Sequence, residues 1–151
     1  MKKLLFMIVL AAVTASAYAQ GQGANPAPGP RSQAHVLTPA EFDGLIAKPD
    51  QILIIDVRGP GEINANGGFP VFLSIQAKEL EQSLAWIPRD RTIVTVSNHA
   101  GRGGAAADLL AKNGFKVAGT IGAQTYEQEG GKLLKKFAPP PPQGGAERKG
   151  P

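Results

Sequence analysis

The stretch TIVTVSNHAGRGGAAADLL, residues 92 to 110, combines the features that define the fold. It opens with Thr92 to Val96, a run of apolar and β-branched residues that is typical of a strand covered on both faces. A loop rich in Gly and Ala follows, and residues 105 to 113 predict a helix that stops before Gly114. Because free backbone N–H groups at such a loop and helix start favour an anion, the loop is a candidate binding site.

The alternation of strand and helix continues elsewhere in the chain. Thr38 to Glu41 reads Thr-Pro-Ala-Glu, a capping box with Pro at the first helical position, and predicts the start of a helix. Ile52 to Ile55 predicts a second buried strand, whereas residues 59 to 70, rich in Gly and Pro, predict a long irregular connection. The other predicted elements are short strands at residues 71 to 75 and 117 to 120, and a helix marked by Leu80, Leu84 and Trp86.

Strands that are separated by helices need crossover connections, which produce a parallel sheet. The predicted fold class is therefore α/β, with three layers and a mostly parallel central sheet flanked by helices. Ligands of such sheets bind beyond the carboxyl ends of the strands. Two predicted strands end in polar side chains, at Asp56 to Arg58 and at Ser97 to Arg102. These two strand ends are the place to expect a site.

Length and composition leave room for one domain. The chain has 151 residues with 19 Gly, 13 Pro and no Cys, and its composition places the domain at residues 34 to 137. Residues 20 to 33 predict a flexible leader, and residues 138 to 151 predict a Pro-rich disordered tail. Since there is no Cys, the stability of the domain must come from a packed core rather than from disulfides.

The first 19 residues have the three parts of a secretory signal peptide. Lys2 and Lys3 precede the apolar run from Leu4 to Val13, and Ala17-Tyr18-Ala19 is a small-x-small cleavage site. The apolar run is shorter than the roughly 20 residues that a membrane-spanning helix needs. We therefore expect a secreted, periplasmic protein that keeps no stable membrane anchor after signal cleavage.

Several partner classes find little support in the sequence. The formal net charge is +4, and the basic residues are mostly scattered without interleaved aromatic residues, so no nucleic acid is expected. His35 and His99 are the only histidines, and without Cys they predict no metal site. Gly101 to Ala106 fits Gly-x-Gly-x-x-Ala, but no acidic residue follows the next predicted strand to hold a ribose. No cofactor is expected.

Taken together, the order of elements from Val36 to Gln128 resembles a rhodanese domain. In that family the first strand ends in Asp-x-Arg, as at Asp56 and Arg58 here. The family's active loop begins with a nucleophilic Cys and ends with Arg, which places Ser97 and Arg102 at those two positions. The remaining matches are Gly67 to Phe72 for the family's Gly-His-Ile-Pro-Gly-Ala, Ala100 for a loop Gly, and Gly122-Ala123 with Tyr126 for a Gly-Gly segment with a Trp.

The resemblance implies a sulfur relay through a Cys thiolate, but this chain has Ser97 in place of that Cys. A hydroxyl is barely ionised near neutral pH and forms no persulfide, so sulfur transfer is excluded on chemical grounds. We therefore expect a non-catalytic binding or regulatory module whose partner is a small anion or an unidentified protein. Asp56 and Arg58 support the site, Asp56 by pairing with an Arg that pins the loop. The expected binding residues are Ser97, Asn98, His99, Ala100, Gly101, Arg102 and Gly103.

Two other functions remain open on the sequence. One is an enzyme of another class that uses Ser97, His99 and Arg102, with Asp56 completing a Ser-His-Asp set. In a tight loop, however, residues two apart seldom bring an imidazole onto a neighbouring hydroxyl, so Ser97 is also expected to act as a cap. The other is an interaction protein that binds through its Pro-rich tail.

Overall fold

Residues 31 to 137 are described by a computed structural model of the chain. The predicted signal peptide, most of the predicted leader and the Pro-rich tail lie outside the described residues. Within residues 31 to 137, no helix combines the length and apolar character that crossing a membrane requires.

A four-stranded parallel sheet forms the centre of the domain, which confirms the predicted α/β class. The strand order is β2-β1-β3-β4, with β1 and β3 in the middle. The strands are β1 (Ile52–Asp56), β2 (Leu73–Ser74), β3 (Thr92–Ser97) and β4 (Val117–Gly122). β1 and β3 are buried along most of their length because helices cover both faces of the sheet.

The helices form the two outer layers. They are α1 (Pro39–Ile46), α2 (Pro60–Asn66), α3 (Leu80–Ser83) with a 3-10 turn at Leu84–Trp86, α4 (Gly101–Lys112) and α5 (Ala123–Gln128). On one face of the sheet, Phe42 and Tyr126 of α1 and α5 pack against strand residues. On the other face, Leu80 and Leu110 of α3 and α4 do the same. The predicted three-layer arrangement is confirmed.

The predicted start of α1 is also confirmed. Thr38 Oγ1 accepts a hydrogen bond from Glu41 N at 3.3 Å, and Glu41 Oε2 accepts one from Thr38 N at 2.8 Å. This capping box satisfies two backbone donors that the helix itself leaves unpaired. The cap fixes the start of α1, from which the fully buried Phe42 projects into the core. The centroid of its ring lies 4.5 Å from that of Phe69.

The prediction of an irregular connection at residues 59 to 70 is wrong. Residues 60 to 66 form α2, in which Pro60 takes the first helical position and Glu62 Oε2 accepts a hydrogen bond from Gly59 N at 3.1 Å. Pro is well suited to that position because its missing N–H has no helical partner there and its fixed φ is already helical. Gly67, with φ +83°, then ends the helix.

The following turn carries a residue in an unusual conformation. Val71 has a φ of +54° and its side chain is 89% exposed. This is the position at which the resembling family has Gly, the residue that adopts positive φ without strain. The turn leaves only Leu73–Ser74 in β2, which is shorter than the strand predicted at residues 71 to 75.

Tyr126 of α5 holds the end of the described chain against α1. Its hydroxyl lies 2.7 Å from Asp43 Oδ1, to which it donates, and it accepts the backbone N–H groups of Lys132 and Leu133 at 3.2 Å. Burial, together with the hydrogen bond to Asp43, raises the pKa of the Tyr126 hydroxyl. The phenol of Tyr126 thus fixes the backbone of residues 132 and 133.

Candidate functional site at the loop after β3

The loop that follows β3 is shorter than the sequence predicts. Only Asn98, His99 and Ala100 lie between β3 and α4, because α4 begins at Gly101 rather than at residue 105. Gly101, Arg102 and Gly103 therefore occupy the first turn of α4. Gly has a poor helix propensity, which is why the sequence pattern assigned these residues to the loop.

Ser97 caps this first turn. Its side chain is 1% exposed at the end of β3, and its Oγ accepts a hydrogen bond from Gly103 N at 3.1 Å. The hydroxyl thus satisfies one of the N–H groups that the start of a helix leaves without a helical partner. The position that matches the family's nucleophile contains a buried group that is already hydrogen-bonded.

Ala100 adopts the left-handed backbone conformation that turns the loop into α4. It has a φ of +62°, directly before α4, at the position where the resembling family has Gly. Its carbonyl accepts a hydrogen bond from Gly104 N at 2.6 Å. An Ala pays a steric cost in this left-handed conformation, so the surrounding contacts must hold the turn in place.

Asp56 and Arg58 form a buried ion pair at the end of β1. Both side chains are at most 1% exposed, and Arg58 donates to Asp56 through Nε at 2.9 Å and through Nη2 at 2.6 Å. Arg58 also donates to the Gly67 carbonyl at 2.9 Å and to Asn98 Oδ1 at 3.3 Å. The predicted pairing of Asp56 with an Arg is present, and the Arg is Arg58. Because Arg58 is inaccessible to solvent, it can support the site but cannot contact an external anion.

Arg102 is paired with a carboxylate that the sequence reasoning missed. Arg102 Nη1 donates to Glu62 Oε2 at 2.9 Å, and Arg102 Nη2 donates to Glu62 Oε1. Asn98 Nδ2 donates to the same Glu62 Oε1 at 2.8 Å. The one available signal was the position of Glu62 three residues after Gly59, which is typical of an N-terminal cap, but no sequence pattern links it to Arg102.

The electrostatics of Glu62 follow from these contacts. The hydrogen bond from Arg102, followed by the backbone N–H of Gly59, lowers the pKa of Glu62 to about 2. The pKa of Arg102 is raised by the same pair. A carboxyl group whose pKa is lower in the folded state stabilises that state at pH values above its unfolded pKa of roughly 4.3. This contribution of Glu62 to stability is therefore present at neutral pH. It is lost as the pH falls toward 2.

His99 stands apart from the residues that a hydrolase would need. It is exposed, and no hydrogen bond between described residues joins its ring to Ser97 or Asp56, whose polar atoms contact Gly103 and Arg58. His99 and Ala100 instead line two neighbouring clefts, of about 300 and 380 Å³. The structure does not assemble the Ser-His-Asp set that the alternative reading of the sequence would need.

Comparisons with known proteins identify the fold. No family model and no curated protein matches the chain. A rhodanese-related protein from Thermoplasma volcanium matches with a TM-score of 0.57 and 22% identity, over 66% of this chain and 97% of its own. A single-domain sulfurtransferase from Saccharomyces cerevisiae matches with a TM-score of 0.55 and 18% identity, over 68% and 96%.

A third solved structure also matches the chain. It is a protein of unknown function from Rhodopseudomonas palustris, described as a possible tyrosine phosphatase. It matches with a TM-score of 0.58 and 25% identity, over 66% of this chain and 84% of its own. The resemblance stated from the sequence is confirmed at the level of the fold, which is rhodanese-like.

Proposed function

We propose that this rhodanese-like domain is a non-catalytic module that binds an oxyanion, either free or carried by a partner protein. The binding surface is the loop and the first turn of α4, residues 97 to 103. The observation that carries the proposal is Ser97: at the position of the family's thiol nucleophile lies a hydroxyl that is buried and bonded to Gly103 N. Such a group supports the shape of the loop but supplies no sulfur chemistry.

The exposed groups of the loop suit an oxyanion. Arg102, which is paired with Glu62 in the structure, has a planar guanidinium that can bind a carboxylate, sulfate or phosphate through two parallel hydrogen bonds. The backbone N–H groups of Gly101 and Arg102 lie at the start of the 12-residue α4, where the helix dipole favours negative charge. These donors can bind an anion without a thiol at residue 97.

The setting that we propose is the periplasm, on the sequence of the first 19 residues. In an exported protein a Cys would be exposed to oxidation and disulfide formation, and this chain has none. A regulatory or binding role needs no thiol and is compatible with that compartment.

The purified protein without its signal peptide is expected to show no thiosulfate:cyanide sulfurtransferase activity. The reason is that a Ser hydroxyl cannot accept sulfane sulfur as a Cys thiolate does. Thiocyanate formation should equal that of a boiled sample at every enzyme concentration. Turnover above the boiled control would contradict the assignment of Ser97 as the replaced nucleophile.

Binding is tested by titrating sodium sulfate into the isotope-labelled protein at constant ionic strength. Backbone amide signals of residues 98 to 104 are expected to shift in a saturable way, because the N–H groups of Gly101 and Arg102 and the Arg102 side chain would contact the anion and the other amides lie in the same loop and turn. An Arg102→Gln variant should lose the shifts. Arg89→Gln is the matched control, since Arg89 stacks on Phe115 at 4.1 Å and donates to the Asn113 carbonyl. No movement of these signals by tens of millimolar sulfate would refute the oxyanion site.

A further inference from the structure

The guanidinium of Arg102 is not free in this structure. The Glu62 carboxylate takes both of its terminal nitrogens, and it also accepts hydrogen bonds from Asn98 Nδ2 and Gly59 N. A side chain of the protein therefore occupies the fork that an external oxyanion would use. An external oxyanion can bind this guanidinium only when Glu62 has left it.

The side chain of Asn98, which donates to Glu62, is oriented by hydrogen bonds to its other end. Asn98 Oδ1 accepts from Arg58 Nη1 at 3.3 Å and from Asn66 Nδ2 at 3.5 Å. These contacts turn the amide of Asn98 so that its NH₂ group faces the carboxylate of Glu62. Because Arg58 is itself fixed by Asp56, we expect Asn98 to keep this orientation when Glu62 leaves. The receptor for a carboxylate or similar oxyanion is thus assembled in advance.

The pair between Glu62 and Arg102 is open to exchange. The side chains of Glu62 and Arg102 are 35% and 48% exposed, in contrast to the fully buried pair of Asp56 and Arg58. Because water reaches both side chains, an external anion can approach the guanidinium without unfolding of the domain. A ligand that offers two oxygens to the same fork can therefore compete with Glu62.

We propose that Glu62 is a built-in competitor that closes the oxyanion site and is displaced when a ligand binds. This inference rests on the proposed function and adds to it how the site is regulated. The ligand takes over the two nitrogens of Arg102 and the Nδ2 of Asn98, while Glu62 keeps only its local contact with Gly59 N at the start of α2.

The test compares sulfate affinity in the wild type and in Glu62→Gln. Gln has nearly the same shape and also serves at this cap position, so α2 is expected to persist. Removing the competing charge and one of its two acceptor oxygens should tighten sulfate binding about tenfold. The dissociation constant is read from the amide shifts of residues 98 to 104. Glu127→Gln, which removes a carboxylate paired with Lys136 at 2.8 Å, is the charge-matched control and should leave the affinity unchanged.

The outcomes separate this inference from the proposed function. If both proteins bind sulfate with equal affinity, the competitor role of Glu62 is overturned while the oxyanion site stands. If Glu127→Gln tightens binding as much as Glu62→Gln, the effect is one of net charge and the competitor role is again overturned. If neither protein shifts its loop signals, both proposals fall. Tighter binding in Glu62→Gln that disappears when Arg102→Gln is added supports both.

Discussion

Replacing Asp56 with Asn is expected to lower the free energy of unfolding by about 3–5 kcal/mol. The substitution keeps the shape of the side chain but removes the charge opposite Arg58, which is 0% exposed. Asp56 now accepts three hydrogen bonds from the Arg58 side chain. An Asn at this position would face these donors with one weaker acceptor oxygen and one NH₂ group, which cannot accept them. An uncompensated charge in the protein interior has no route to water without local unfolding.

Urea unfolding followed by circular dichroism measures this loss. The control is Glu127→Gln, which breaks an ion pair with Lys136 whose side chains are both about half exposed. Exposed pairs of this kind contribute about 0–1 kcal/mol, so the control should lie close to the wild type. A loss below about 1 kcal/mol for Asp56→Asn would show that Arg58 finds another partner or water, contrary to the buried arrangement in the structure.

Replacing Gly103 with Ala is the second change with a large expected effect. Ala normally stabilises a helix interior by about 1 kcal/mol relative to Gly. At residue 103 the added methyl would collide with Thr120 Oγ1 and come within 3.3 Å of Ser97 N and Oγ. Thr95 Oγ1 also donates to the Gly103 carbonyl at 2.8 Å, so the turn cannot move away without breaking that bond. We expect a net loss of about 1–3 kcal/mol in the free energy of unfolding.

The matched control lies in the same turn of α4. A methyl added at Gly101 would meet nothing within 4 Å, and the φ of Gly101 is not in the positive region. Gly101→Ala should therefore raise the free energy of unfolding by up to about 1 kcal/mol. Opposite signs at these two glycines, measured by thermal or urea unfolding, support the close packing of α4 on the sheet. Equal changes at both positions would contradict it.

Much of the fold follows from local rules. The capping box at Thr38 places the start of α1, and continuous apolar runs place β1 and β3 to within one residue. Because the strands alternate with helices, successive strands are joined by helical crossovers, and such crossovers produce a parallel sheet. These signals are reliable because each depends on residues that are adjacent in the chain. Export of the protein, the role of the tail and the absence of activity stay predictions.

Two local predictions are wrong because glycine and proline occur at the starts of helices as well as in loops. The sequence pattern predicts that Pro60 and Gly61 interrupt regular structure, yet Pro favours the first turn of a helix and α2 begins there. The pattern also predicts a loop at residues 101 to 104, yet they form the first turn of α4. At Gly103 and Gly104 the lack of a side chain serves packing, since a methyl there would meet Thr120 and Ser32.

Local sequence patterns establish the class of fold and the ends of the central strands, and they predict that Ser97 lies where the resembling family has its thiol. Which Arg each carboxylate binds depends instead on how the chain folds in three dimensions. Asp56 reaches Arg58 two residues away, but Glu62 and Arg102 are 40 residues apart and meet because parallel crossovers bring the start of α2 beside the loop after β3. Burial separates their roles: the pair shielded from water holds the domain together, and the pair in contact with water can be exchanged.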